Sequence, residues 1–374
     1  MARIAFIDVT VTVSYGGLQT VVWKLAEVLA RAGHEIAVIG GDGAISPPKA
    51  LGPVTVCTFA FTPRERVFDL GSRFQRTIER ITLARNARAA VIEGNYDWIV
   101  VDKPFDFFWP WIMPRDSKTR FAFVSGGTDF IAFDRTLMRR IDTLLSCSYF
   151  NAWQLRTRYR KRYPVVIYNG VDVNQFAPRA NAANMRARLG IPDNTVLFAF
   201  AGRLVGWKGM SVAVRALAEP ALHNVATRLL IIGDGPDKPR LKELATELGV
   251  SERVIFHEPI AHDQLPDYYA AADVGVFPSI GDEAFGITIA EAMSCAKPVI
   301  GSYIGGIPEV VGNEGNCGLL VAPGDAGALA EAMQALAADS ARRATMGQAA
   351  RARIEQHYTW ELAGRRMLAA LGLD

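Results

Sequence analysis

Glu283 and Glu291 are the acidic residues whose setting best suits chemistry. They bracket Glu283-Ala-Phe-Gly-Ile-Thr-Ile-Ala-Glu291, just after the apolar run and turn Val274-Gly-Val-Phe-Pro278-Ser279. Apolar and alanine spacing from Ile287 onward predicts a helix that opens near Gly286. Its first amides, around Phe285, Gly286 and Ile287, then have no intrahelical acceptor and can hold an anion. Glu283 would stand in the loop before that helix; Glu291, inside it, could accept hydrogen bonds from a diol. Arg203 and Lys208 lie upstream among Gly202, Gly206 and Gly209, glycines that let the backbone come near a ligand. A guanidinium fork beside an ammonium suits a pyrophosphate. The competing readings are plain: a glutamate near a helix start can merely offset the helix dipole, and the cations can belong to surface ion pairs.

Three glycine loops add to this set. Tyr15-Gly16-Gly17 follows the first apolar run and opens the first predicted helix, which permits close approach of a phosphate or sugar or is simply a tight turn. Gly233-Asp234-Gly235-Pro236 turns from a buried strand into a helix and is also ordinary turn chemistry. Val124-Ser125-Gly126-Gly127-Thr128-Asp129 ends another strand. There Asp129 can cap the helix that follows.

The elements that must position these residues form two series. Strands are predicted at Ile4–Ile7, Glu35–Ile39, Val54–Phe59, Trp98–Val101, Phe121–Val124, Thr143–Ser146 and Val165–Tyr168, separated by stretches long enough for crossover helices. Between the first two, Leu18, Val22, Leu25 and Leu29 recur at helical spacing until Gly33. A second series follows Pro178, with strands at Val196–Ala201, Arg228–Ile232, Val254–Phe256, Val274–Phe277, Val299–Gly301 and Leu319–Val321. Both are α/β, doubly wound parallel sheets, joined by turn chemistry at Tyr168-Asn-Gly-Val-Asp172. The expected domains are residues 1–170 and 171–357, with a C-terminal helix over 358–374 returning to the first. Ligands of such sheets bind beyond the carboxyl ends of the strands, so two facing domains would share a cleft.

Composition sets outer bounds. With 50% apolar and 21% charged residues over 374 positions, the chain has ordinary cores and no signature of disorder. Cys57, Cys147, Cys295 and Cys317 are widely spaced and read as reduced thiols of a cytoplasmic protein. The N-terminus reads as a strand, not a cleavable signal, and no apolar run is long enough to span a membrane. The net charge of +3 divides into +8 for residues 1–170 and −5 for the rest, so the first half is the one suited to an anionic surface or acceptor. Eight basic residues between Arg135 and Arg162, interleaved with Tyr149, Trp153, Tyr159 and Tyr163, suit either a solvated helix face or docking at the inner face of the plasma membrane. RNA fits less well, since nothing else resembles a nucleic-acid module. Phe105 to Trp111 is either core packing or a loop with exposed aromatics.

Glu283 and Glu291, with seven residues between them, resemble the E-x7-E motif of glycosyltransferase family 4. So do Gly202-Arg203-Leu204 with Trp207-Lys208-Gly209, Ile231-Ile-Gly233-Asp-Gly235-Pro236, Ala271-Ala-Asp-Val274 and Gly305-Gly-Ile-Pro-Glu309, which together cover most of residues 168 to 325. The resemblance implies a GT-B fold and a retaining hexosyltransferase with a nucleotide-sugar co-substrate, UDP favoured over GDP, and a glycan or lipid-linked acceptor. No metal or other cofactor is expected; no DxD or histidine cluster is present to hold one. It assigns catalysis to Glu283, Arg203 and Lys208. Donor binding falls to Gly16, Gly17, Gly202, Gly233, Pro259, Ile260, Phe285, Gly286, Ile287 and Glu291, and the acceptor side to Tyr15, Ser125, Gly126 and Asp129. One position departs from the pattern: Gly126 stands where many family members carry a histidine that holds the donor sugar. Two alternatives therefore stay open, a catalytically silent donor-binding subunit and a UDP-sugar epimerase.

Overall fold

Short unbroken apolar runs such as Ile4-Ala-Phe-Ile7 and Trp98-Ile-Val-Val101 become strands buried on both faces, as parallel sheets covered by crossover helices require. A computed structural model describes residues 1–14, 16–43, 53–127, 130–160 and 163–374. The chain divides into two units, Met1–Gly170 with Trp360–Asp374, and Val171–Thr359. The first holds β1 (Arg3–Ile7), β2 (Glu35–Gly41), β3 (Val54–Phe59), β4 (Trp98–Val101), β5 (Arg120–Ser125), β6 (Thr143–Ser146) and β7 (Val165–Val166), in the order β3-β2-β1-β4-β5-β6-β7. The second holds β8 (Val196–Ala201), β9 (Thr227–Ile232), β10 (Val254–His257), β11 (Val274–Phe277), β12 (Val299–Ser302) and β13 (Gly318–Val321), in the order β10-β9-β8-β11-β12-β13. Neighbouring strands in both sheets pair in parallel.

The doubly wound α/β reading holds, with strand bounds within two residues of those expected. Two details need correction. The strand expected at Val165–Tyr168 stops at Val166, and Tyr168 takes a left-handed φ of 54° that no strand tolerates. The closing helix starts at Trp360, because a helix over Ser340–His357 ends just before Tyr358 and Thr359 bridges to Val171. The first helix, Gly17–Arg31, buries Val21, Val22, Leu25 and Leu29 and ends at Gly33, whose φ of 90° lets the His34 amide reach back to the Leu29 carbonyl. Phe105, Phe107 and Trp109 are core, while Trp111 is exposed. Among the described residues no helix is long and apolar enough to cross a membrane.

Strand order reverses direction between β1 and β4 in the first sheet and between β8 and β11 in the second. These switch points are where the strand-end loops part and leave a crevice. In the first unit the crevice end is filled by charge. Asp8 and Asp102 follow directly on Ile7 and Val101, which are register partners, and Asp106 lies four residues on. All three are buried, with the buried guanidinium of Arg80 3.0 Å from Asp106 and 3.7 Å from Asp8. Burial, with Asp8 beside it, raises the Asp102 carboxyl well above the usual range, and neither of its oxygens has a hydrogen-bond partner among the described residues. Burial pushes Asp106 up to about 6 against the pull of Arg80.

A raised carboxyl means that the folded state holds its proton after the unfolded chain has lost it. Stability therefore falls as pH rises above about 4, the unfolded value, by at most about 1.4 kcal/mol per pH unit for each such group, until the folded group ionises. Asp102→Asn keeps the shape of the neutral acid and removes this slope. Relative to the parent, the variant is expected to gain stability progressively as pH rises above about 4 and to keep the gain once folded Asp102 ionises; urea unfolding at pH 4, 6 and 8 measures the difference.

Candidate active site

In the second unit the switch-point loops carry the sequence-predicted residues. The loop after β8 runs through Gly202, Arg203 and Leu204 into a single turn at Gly206–Lys208. The loop after β11 carries Glu283 to the helix Ile287–Ser294. Glycines knit the two together. An added Cβ on Gly209 (φ 69°) would lie 1.9 Å from the Pro278 carbonyl oxygen, so nothing larger fits there. The Trp207 carbonyl accepts from the amides of Ile280 and Gly281 at 2.8 and 3.1 Å. From the other side, Gly306 donates its amide to the Glu283 carbonyl at 2.7 Å, and a Cβ on Gly305 (φ 61°) would strike that same oxygen at 2.2 Å. The backbone around Glu283 is thus held between two glycine contacts.

This closeness brings Lys208 and Glu283 together: the ammonium donates to the Glu283 carboxylate and sits 4.5 Å from the centre of the Trp207 ring. Both side chains are mostly buried, at 17% and 15% exposure, so the pair is neither a freely screened surface bridge nor sealed from a ligand. Arg203 differs. Its side chain is exposed and makes no hydrogen bond or ion pair among the described residues.

Gly286 caps the helix with φ 90°, leaving the amides of Ile287 and Thr288 without intrahelical acceptors. Phe285 is buried edge-on to Tyr358, at 5.6 Å between ring centres. Glu291, 2% exposed, places one carboxylate oxygen 2.6 Å from His262 Nε2; its other oxygen is buried with no hydrogen-bond partner among the described residues. A buried carboxylate oxygen left unpaired is costly, and a ligand hydroxyl would relieve it. His262 was not foreseen: it follows Pro259 and Ile260 in the loop after β10, and a lone histidine there carries no spacing signal. Pro259 is exposed and Ile260 half-buried. Gly233 is buried with φ 143°, where a Cβ would meet the Gly202 carbonyl oxygen at 2.0 Å, so it serves the close packing of the β8 and β9 loops.

In the first unit Gly16 and Gly17 open the helix Gly17–Arg31. Ser125 is buried and donates its hydroxyl to the Gly127 carbonyl at 3.1 Å. A Cβ at Gly126, where the family pattern has a histidine, would come 2.9 Å from Leu18 Cδ1, the end of a side chain that can turn aside. Tyr15, Thr128 and Asp129 lie outside the described residues, as do Lys161 and Arg162 of the basic stretch. Within that stretch, Arg158 is spent on buried Asp134, 2.7 Å from one carboxylate oxygen, and Arg140 packs on the Trp111 ring at 4.1 Å.

Known proteins match this chain throughout. Residues 181–353 match the family described as Glycosyl transferases group 1, and residues 15–175 match Glycosyltransferase Family 4. The chain is 34% identical over 257 residues to a GDP-mannose-dependent alpha-(1-6)-phosphatidylinositol monomannoside mannosyltransferase of Mycolicibacterium smegmatis, covering 66% of this chain and 67% of that one. It is 38% identical over 212 residues to a D-inositol 3-phosphate glycosyltransferase of Xylanimonas cellulosilytica, covering 54% of this chain and 49% of the relative. Among solved structures, sucrose-phosphate synthase from Thermosynechococcus elongatus superposes with a TM-score of 0.83 at 25% identity, over 98% of this chain and 97% of that one. Anabaena HepE in complex with UDP and glucose superposes with a TM-score of 0.79 at 23% identity over the whole of both chains. With two doubly wound parallel units and matches along nearly its whole length, the chain belongs to the group 1, family 4 glycosyltransferases of GT-B fold.

Proposed function

We propose that the chain moves a hexose-type sugar, with retention and without a metal, from a UDP- or GDP-sugar to a glycan or lipid-linked acceptor. The observation that carries this reading is the Lys208–Glu283 pair at the switch point of the second sheet, with the exposed Arg203 in the same loop as Lys208 and a buried Glu291 oxygen that has no partner among the described residues. The donor diphosphate takes Arg203, Lys208 and the amides of Ile287 and Thr288, and the ribose diol takes Glu291. As the sugar–phosphate bond breaks, negative charge grows on the diphosphate and positive charge on the sugar ring. Preorganised cations and helix amides stabilise the first, and the Glu283 carboxylate the second. In this mechanism the departing phosphate oxygen takes the acceptor's proton on the same face, so no side chain need act as nucleophile.

The base is the open half of the donor. The Mycolicibacterium relative is named for GDP-mannose, whereas HepE was solved with UDP, and the donor screen below therefore includes both. A membrane role for Arg135–Arg162 is weakened by the internal partners of Arg158 and Arg140. A second reading, a silent donor-binding subunit, draws on Gly126 standing where the family pattern has a histidine. Purified chain incubated with UDP-glucose, UDP-N-acetylglucosamine or GDP-mannose is expected to release free nucleotide from one of them, measurably above the no-enzyme rate. Tight binding of a nucleotide sugar with no release, whatever acceptor is supplied, would leave the silent reading.

A further inference from the structure

The helix Ser72–Glu93 carries more than the crossover role its place in the fold demands. Phe74, Thr77, Ile81, Ala84 and Arg88 recur at three- and four-residue spacing and share one face. That face lines a cavity of ≈ 730 Å³, whose other walls come from the Phe105–Ile112 segment and from Ile131 to Leu137, all within the first unit. The volume lies in the range of small-molecule sites. Its lining is predominantly apolar, yet Arg73, Arg85 and Arg88 stand in it, and no acidic residue does among the described lining residues.

The cations are available. Arg73 and Arg85 are exposed, and their guanidinium groups have no partner among the described residues, while Arg88 reaches only the Ile112 carbonyl at 2.7 Å. Phe74 and Ile81 are 39% and 49% exposed. Phe133, also in the lining, is 81% exposed and holds a left-handed φ of 66°, an unfavourable conformation for a bulky residue. Strain and exposed aromatic surface coincide at one groove.

We propose that this groove takes the alkyl chain of an anionic lipid, with the lipid's phosphate held at one end by Arg85 and by Arg88, one turn further along the same helix. An apolar channel accounts for the chain, and a row of guanidinium groups without carboxylates accounts for a phosphate in place of a zwitterionic or neutral head. A second copy of this chain fits less well, because the groove's own arginines would face one another across a two-fold interface. The proposal rests on the transferase reading to the extent that the lipid is the acceptor. Lipid binding is nonetheless measured without turnover.

The full chain is titrated calorimetrically with a short-chain lysophosphatidate below its micelle concentration, and with lysophosphatidylcholine of the same chain length. The parent is expected to bind lysophosphatidate saturably, one per chain, and the choline lipid at least about tenfold more weakly, the scale of a lost charge-assisted contact. Arg85→Glu should weaken lysophosphatidate by at least about tenfold. Thr77→Trp, which fills the channel, and Ile81→Asp, an exposed substitution, should each abolish saturation while UDP or GDP binding persists. Equal binding of the two lipids, unchanged binding by Thr77→Trp and Ile81→Asp, or a self-association that those variants abolish would overturn the proposal. Binding confined to phosphatidylglycerol vesicles, with none to monomeric lipid, would overturn it in favour of surface docking. Lipid binding that survives in a chain with no nucleotide turnover would sink the transferase reading and leave the groove.

Discussion

Glu283→Gln is expected to lower sugar transfer about 10²- to 10³-fold, the scale on which one preorganised electrostatic group acts in a transition state. Two effects add. The amide cannot offset positive charge building on the sugar ring, and it holds Lys208 by a weaker, neutral hydrogen bond, which loosens the ammonium that must meet the leaving diphosphate. The loop itself should stay in place, because its position is fixed by the Gly306 amide on the Glu283 carbonyl, a main-chain contact that the substitution does not touch. Nucleotide affinity should then remain within about threefold of the parent. The fall is expected in kcat, since the lost interaction belongs to the transition state. Steady-state kinetics with the active donor checks both parts.

Arg203→Ala is expected to act on binding and turnover alike. Arg203 is the exposed guanidinium of the β8 loop, with no side-chain partner among the described residues, so its removal leaves none of their carboxylates stranded and should not destabilise the fold. A charge-assisted contact to phosphate contributes about 1.5–3 kcal/mol, and exposure places this one near the lower end, so the nucleotide dissociation constant should rise about tenfold. Because a solvent-facing charge is screened by salt, the difference between parent and variant should shrink as ionic strength rises. Lys208 cannot report so cleanly, since deleting it also leaves the mostly buried Glu283 carboxylate unpaired.

Most of the fold was legible because its signals are local. Apolar runs such as Val196–Ala201 and Val274–Phe277, bracketed by glycine turns, are strands whatever surrounds them. The residues of the second-unit site were legible as a set of types, but not their mutual contacts. Lys208 and Glu283 are 75 positions apart, and their bond depends on Gly209 tucking under the Pro278 carbonyl and Gly305 under that of Glu283, which only the folded backbone reveals. The buried charge of Asp8, Arg80, Asp102 and Asp106 was invisible for the same reason: the register of β1 with β4 brings Asp8 and Asp102 level, and no spacing along the chain encodes it. His262, at the carboxylate of Glu291, comes from a loop with no sequence pattern of its own. Gly126 was readable as a departure, whereas its physical accompaniment, Leu18 at 2.9 Å from any added Cβ, was not. Helix Ser72–Glu93 read only as a crossover, since its exposed Phe74 and Ile81 acquire meaning from walls more than twenty residues downstream.

Transfer by this chain requires a nucleoside diphosphate held in the second unit by a guanidinium, an ammonium and the first amides of the helix Ile287–Ser294. Isothermal calorimetry with UDP and with GDP, on the parent and on both variants at low salt, tests it most directly. The predicted result is binding of one nucleotide by the parent, nearly the same affinity in Glu283→Gln, and about tenfold weaker binding in Arg203→Ala. Loss of binding in Glu283→Gln with full affinity kept in Arg203→Ala would contradict it.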